Sequence, residues 1–201
     1  SLNNNVSGNQ NTAIGAWTMT GVNTSSFTTA VGYGALTQNT SGSNNTAVGG
    51  NAMFVNTTGA NNTAVGRQSL GTSTTGGANT AVGYLSLGSN TTGSNNTAVG
   101  RNALNVNTTG TNNTALGASA NVSSSALINA TAIGANAQVS GSNSIVLGSI
   151  NGVNGATADA KVGIGTTGPT STLHVEGTFR YRVNGFNPSP GYVLTADGVG
   201  N

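Results

Sequence analysis

Residues 1–158 contain no aspartate, glutamate or histidine, and this absence excludes more chemistry than any motif in the chain suggests. General acid–base catalysis needs positioned carboxylates or imidazoles. The only acids are Asp159, Glu176 and Asp197, and the only histidine is His174. A glycosidase-type carboxylate pair therefore cannot be built within the first 158 residues of one chain. Cysteine is also absent, which removes disulfide and thiol chemistry but does not choose between an extracellular and a cytosolic setting. The five basic residues, Arg67, Arg101, Lys161, Arg180 and Arg182, are too few and too scattered for a nucleic-acid footprint. No run of 18 apolar residues occurs, so membrane insertion is not expected. No Gly-x-x-x-x-Gly-Lys stretch offers a phosphate loop. No catalytic residue, cofactor or metal is assigned.

Only 4% of residues are charged and 4% aromatic, yet disorder is not the reading. Disordered chains are usually kept solvated by charge, and this one has almost none. Order has to come from backbone hydrogen bonds and repeated contacts between small residues. A strict repeat supplies them. A Thr-Ala-(Val/Ile/Leu)-Gly core ends at Gly15, Gly32, Gly49, Gly66, Gly83, Gly100, Gly117 and Gly134, at a constant 17-residue spacing. A degenerate copy ends at Gly148 after a shortened, 14-residue step, and another ends at Gly165 after the full 17-residue step. Such a period means stacked units. The chain opens at Ser1 in mid-repeat, with Leu2 in register with Leu36, Leu70 and Leu87, so it is expected to be a piece of a longer protein.

Each unit reads as two extended runs and two turns. The first run is Asn-Thr-Ala-Val-Gly, and the second centres on pairs such as Ala35-Leu36, Ala52-Met53, Ser69-Leu70, Ser86-Leu87 and Ala103-Leu104. Turns such as Asn56-Thr57-Thr58-Gly59 use residues that tolerate positive φ. The unit is too short for a helix pair and suits one turn of a β-solenoid. The fold class is thus all-β: a parallel β-roll of about ten 17-residue coils, one of them 14, over residues 1–165, followed by a short β-rich segment over 166–201.

Strand side chains alternate between faces, so Ala98 and Gly100 share one face while Thr97, Val99 and Arg101 share the other. The small face turns inward. Ile14, Val31, Val48, Val65, Val82, Val99, Leu116 and Ile133 then form an outward apolar column, which signals an interface covered by copies of the chain around a symmetry axis. A homotrimer is expected. The column after the glycine varies: Ala16, Tyr33, Gly50, Arg67, Tyr84, Arg101, Ala118 and Ala135. Arg67, Tyr84 and Arg101 should stack as a guanidinium–ring ladder. They form either a stabilising edge of the interface or, with Tyr33 and neighbouring Trp17, a surface-binding strip for glycan. Asn-x-Thr sequons such as those at Asn56 and Asn90 read as products of the Asn/Thr-rich repeat, in which stacked Asn and Thr ladders are expected.

The stretch Asn129 to Gly148 resembles the 14-residue head repeat of trimeric autotransporter adhesins. The resemblance implies a left-handed parallel β-roll with three chains wound about one axis, and it covers residues 9 to about 165. It departs from that family in three extra residues per coil, a length variant that resembles repeats of bacteriophage tail fibres and of some bacterial surface proteins. Beyond the repeats, Val162-Gly163-Ile164-Gly165, Leu173-His174-Val175 and Gly191-Tyr192-Val193-Leu194-Thr195 resemble the segment that precedes the self-cleaving intramolecular chaperone of phage tail fibres and tailspikes. Residues 172–185 and 192–198 read as strands. His174 faces solvent or the trimer axis, where a ring of three could hold a metal.

These resemblances imply a structural and adhesive segment of a phage tail fibre, located in the virion, that takes part in host attachment. The expected partners are two further copies of the chain, other fibre or virion proteins, and a bacterial surface glycan or protein, with no nucleic acid. The alternative is a bacterial cell-surface adhesin head; a polysaccharide-degrading enzyme and an ice-binding protein are more remote.

Overall fold

In the computed structural model, residues 4–177 are described; the strands expected over 178–185 and 192–198, with Arg180, Arg182 and Asp197, lie outside them. The described residues are all-β, with no helix. Seven copies of the Thr-Ala-(Val/Ile/Leu) core form β1 (Thr12–Ile14), β2 (Thr29–Val31), β3 (Thr46–Val48), β4 (Thr63–Val65), β5 (Thr80–Val82), β6 (Thr97–Val99) and β7 (Thr114–Leu116). Then come β8 (Asn121–Val122), β9 (Thr131–Ile133), β10 (Gln138–Val139), β11 (Ile145–Leu147), β12 (Val162–Ile164) and β13 (Leu173–Val175). β1 to β7, β9 and β11 make one nine-stranded parallel sheet in chain order. Its register follows the 17-residue period, as in Thr80↔Thr97, and closes on the shorter 14-residue step, Thr131↔Ile145. The architecture is a parallel β-solenoid of about eight turns.

Alternation places the alanines inside: Ala30, Ala47, Ala64, Ala81, Ala98, Ala115 and Ala132 are fully buried. Opposite them, the second run is not a strand in the 17-residue coils that carry the Ala/Ser-Leu/Met pair. Ala35 and Leu36 are consecutive and both fully buried, which an extended chain with alternating faces cannot achieve. Instead the chain turns, and Leu36, Met53, Leu70, Leu87 and Leu104 adopt left-handed φ values of 48 to 50°. That conformation costs an L-residue about 1–2 kcal/mol. Burial of a whole Leu or Met side chain returns about 1.5–3 kcal/mol, and the Leu36 N–H donates to Ala52 O of the next coil at 3.0 Å. Only near the C-terminal end does a second run become extended, where β8 pairs with β10. There Val122 and Val139 replace the buried leucines, one residue later in the repeat.

The doubled asparagine before each core divides two tasks. The first, as in Asn44, Asn61, Asn95 and Asn112, takes the corner at φ 58 to 61°. The second points inward and forms a ladder. Asn62 Oδ1 accepts from the Asn79 N–H at 2.9 Å and from Asn79 Nδ2 at 3.1 Å. Asn79 Nδ2 also donates to Gly93 O at 2.9 Å. Asn45, Asn62, Asn79 and Asn96 repeat this pattern along the axis, and at its end Asn113 donates its backbone N–H to Asn96 Oδ1 but its Nδ2 to Asn107 Oδ1. A second buried ladder runs through Asn39, Asn56, Asn90 and Asn107, with Asn56 Nδ2 donating to Asn39 Oδ1 at 2.8 Å. Ser73 occupies the missing rung; its hydroxyl and Asn56 Oδ1 both lack a partner. Corner threonines add a third ladder, with Thr57 Oγ1 donating to Thr74 O at 3.0 Å. Buried amides are costly unless bonded, so these ladders also select the register in which they pair.

The glycine ending each core is required twice over. Gly32, Gly49, Gly66, Gly83, Gly100 and Gly117 sit at φ 127 to 137°, where side chains are strained. A Cβ on Gly83 would also lie 2.6 Å from Gly100 O in the next coil.

The chain divides into two compact units, with the boundary after Ala160. A loop closes the first: the Asn151 N–H donates to Asp159 Oδ1 at 2.8 Å, and the Ala160 N–H to Ser149 O at 2.8 Å. Val162–Ile164, expected as the next coil of the shaft, is not on the nine-stranded sheet. It pairs in parallel with β13 in the second unit, Val162↔Leu173, over a shorter 11-residue step.

Candidate functional site

The apolar column lies on outward positions of the sheet, whereas Tyr33, Arg67, Tyr84 and Arg101, expected to share its strand face, sit in the turns two residues past the ends of β2, β4, β5 and β6. Ile14, Val65, Val82, Leu116 and Ile133 are exposed, Ile14 by 60%, while Val31, Val48 and Val99 are half-buried. Leu147 on β11 extends the same column and is also exposed. An apolar ridge thus runs the length of the sheet in this single chain.

The column after the glycine is held by backbone hydrogen bonds from coil to coil. Tyr33 O accepts from the Asn51 N–H at 2.8 Å, Arg67 O from Leu85 at 3.1 Å, and Tyr84 O from Asn102 at 2.9 Å. Side chains displayed from such a ladder stand ~4.8 Å apart. Arg67 and Tyr84 are brought together, with the guanidinium carbon 5.7 Å from the ring centroid. Arg101, one coil further, is exposed and stacks on no ring among the described residues. The expected three-member ladder is therefore a stacked pair with a separate guanidinium beyond it. Tyr33 is set apart by Gly50, which leaves a coil without a side chain in this column.

Trp17, 64% exposed, belongs to the neighbouring column of Gly34, Asn51, Gln68, Leu85 and Asn102. Next to it in that column, Gly34 has φ 67°, and a Cβ there would run into Asn51 Oδ1 and touch the Phe54 ring. The sequence reading missed Phe27, which is exposed at φ 57° in a corner that asparagine fills in Asn44 and Asn61. The signal was there: an aromatic residue replaces a turn residue at a fixed point of the repeat.

The sequons at Asn56 and Asn90 are fully buried, and both amides are engaged in the second ladder. His174 lies on β13 with Nε2 3.6 Å from Glu176 Oε2, and its Nδ1 accepts from the Thr170 N–H at 3.3 Å. Among the described residues no cluster of three metal-ligating side chains occurs. No helix of the described residues is long and apolar enough to cross a membrane.

No protein-family model and no curated protein matches the chain. The residues themselves must carry the functional reading.

Proposed function

We propose that the chain is a segment of a trimeric phage tail fibre, acting as a rigid shaft that takes part in attachment to the host surface. The observation that carries this reading is the outward apolar column from Ile14 to Ile133, aligned rung by rung on one parallel sheet. A stripe of that length on a slender solenoid calls for a covering surface, and a copy of itself around a three-fold axis is the simplest. The buried ladders suit a rod that must transmit contact without bending, and the sequence of residues 1–158 offers no carboxylate or imidazole for catalysis. In this reading the chain is not an enzyme, takes no cofactor, and assembles with two copies of itself and with other virion proteins. The 14-residue step between β9 and β11 favours the second reading, a bacterial adhesin head, because it matches that family's repeat length.

Attachment is tested by incubating the labelled chain with bacterial strains of diverse envelope composition. Saturable adsorption to some strains and not others is expected, abolished by stripping surface polysaccharide or protein. Uniform absence of adsorption would remove the adhesive role and leave a spacer.

A further inference from the structure

We propose that the edge carrying Arg67, Tyr84 and Arg101 is a binding site for an anionic polysaccharide, one with carboxylate or phosphate groups spaced along its chain. This deepens the attachment reading above and rests on it. Arg67 and Arg101 project two coils apart on the same column, roughly 10 Å at the spacing of stacked strands. Neither guanidinium has a hydrogen-bond or carboxylate partner among the described residues, where the one ion pair is His174 with Glu176. The Arg67 guanidinium carbon lies 5.7 Å from the Tyr84 ring centroid, a cation–π contact that engages none of its N–H donors in a hydrogen bond. The Arg101 guanidinium has no polar or ring partner among the described residues, which a purely structural ladder does not account for.

The electrostatics point the same way. Residues 1–158 contain two cations and no anion, so an approaching polyanion meets no repulsive group along the coils. A planar guanidinium binds carboxylate or phosphate through paired hydrogen bonds. Tyr84, 38% exposed between the two arginines, offers the part of its ring that Arg67 leaves uncovered for apolar contact with a sugar. Two guanidiniums with an aromatic ring between them match a polysaccharide charged about once per disaccharide. Two cations are too few to hold nucleic acid, whose affinity rises with the number of phosphates neutralised. Each site is weak, and three copies in the proposed trimer would act together. Carboxylate from uronic acids and phosphate from lipopolysaccharide cores share this chemistry, so the probes separate them.

The test uses the whole 201-residue chain against immobilised polygalacturonate, a phosphorylated mannan and neutral dextran. Binding to one or both polyanions is expected, weakening with salt, with none to dextran; the preferred probe identifies the anionic group. Arg67→Gln and Arg101→Gln should each weaken binding about tenfold, the worth of one charge-assisted contact, and the double variant should abolish it. Both side chains are exposed, so the melting temperature should not move. Unchanged binding by the double variant, or equal binding to dextran or to single-stranded DNA, overturns the assignment. Cell adsorption separates the two levels. Equal adsorption of wild type and double variant keeps attachment and overturns the polyanion site. Polyanion binding without adsorption to any strain keeps the site and removes attachment.

Discussion

Gly83→Ala is expected to disrupt the centre of the solenoid. The residue sits at φ 130°, a conformation that strains any side chain by about 1–3 kcal/mol. Its new Cβ would lie 2.6 Å from Gly100 O and 3.1 Å from Arg101 N, both backbone atoms of the next coil. Neither can move without breaking the parallel pairing of β5 with β6, and overpacking of this kind adds about 1–3 kcal/mol. The sum, ~4 kcal/mol, lowers the melting temperature by about 10 °C for a chain of this size. Gly50→Ala is the internal control. Its Cβ would find only Tyr33 O, at 4.0 Å, and its stability should stay within about 0.5 kcal/mol of wild type. Thermal melts followed by circular dichroism compare the two. Equal effects would mean that the glycine column is a compositional habit rather than a packing requirement.

Asn79→Ala is the second change with a large expected effect. Its Oδ1 accepts from both nitrogens of Asn96, and its Nδ2 donates to Asn62 Oδ1 and Gly93 O. Alanine would strand the buried Asn96 N–H, at about 1–3 kcal/mol, and remove the amide's bonds with Asn96 Nδ2, Asn62 Oδ1 and Gly93 O, at about 0.5–1.5 kcal/mol each, while Gly93 O keeps its bond from Asn90 Nδ2. A loss of ~4 kcal/mol is expected in chemical denaturation. Asn105→Ala, whose amide takes no part in the ladder, should cost under about 1 kcal/mol. The opposite sign is expected where a rung is missing. Ser73→Asn gives Asn56 Oδ1 a donor and should stabilise the chain by about 1 kcal/mol. A destabilised Ser73→Asn would show that this coil has adapted its backbone to the shorter side chain.

Much of the fold was legible because its physics is local and repeated. The 17-residue period marked the coil, and alternation across Thr-Ala-Val placed alanine inward and valine outward. Asparagine and glycine marked corners. What stayed hidden was the left-handed conformation of Leu36, Met53, Leu70, Leu87 and Leu104. Propensity reads an Ala-Leu pair as part of an extended or helical run, and only the closed coil shows that two consecutive side chains must point inward. The two asparagines of Asn-Asn-Thr look alike in sequence, and their separate roles emerge only when the coils stack. Val162–Ile164 matched the repeat in pattern but pairs with Leu173–Val175, 11 residues further on, a partner that no Thr-Ala-Val-Gly pattern marks.

The candidate edge was legible residue by residue but not in its grouping. Arg67, Tyr84 and Arg101 fell in one column from spacing alone. That Arg67 stacks while Arg101 stands free depends on side-chain geometry no periodicity encodes.

The measurement that bears most directly on this account is the molar mass of the purified chain by light scattering at micromolar concentration. The outward Ile14-to-Ile133 column, if it is an interface among copies, gives a particle of three times the chain mass of 19.5 kDa. A particle of 19.5 kDa would contradict the trimer and leave the apolar column to some other partner.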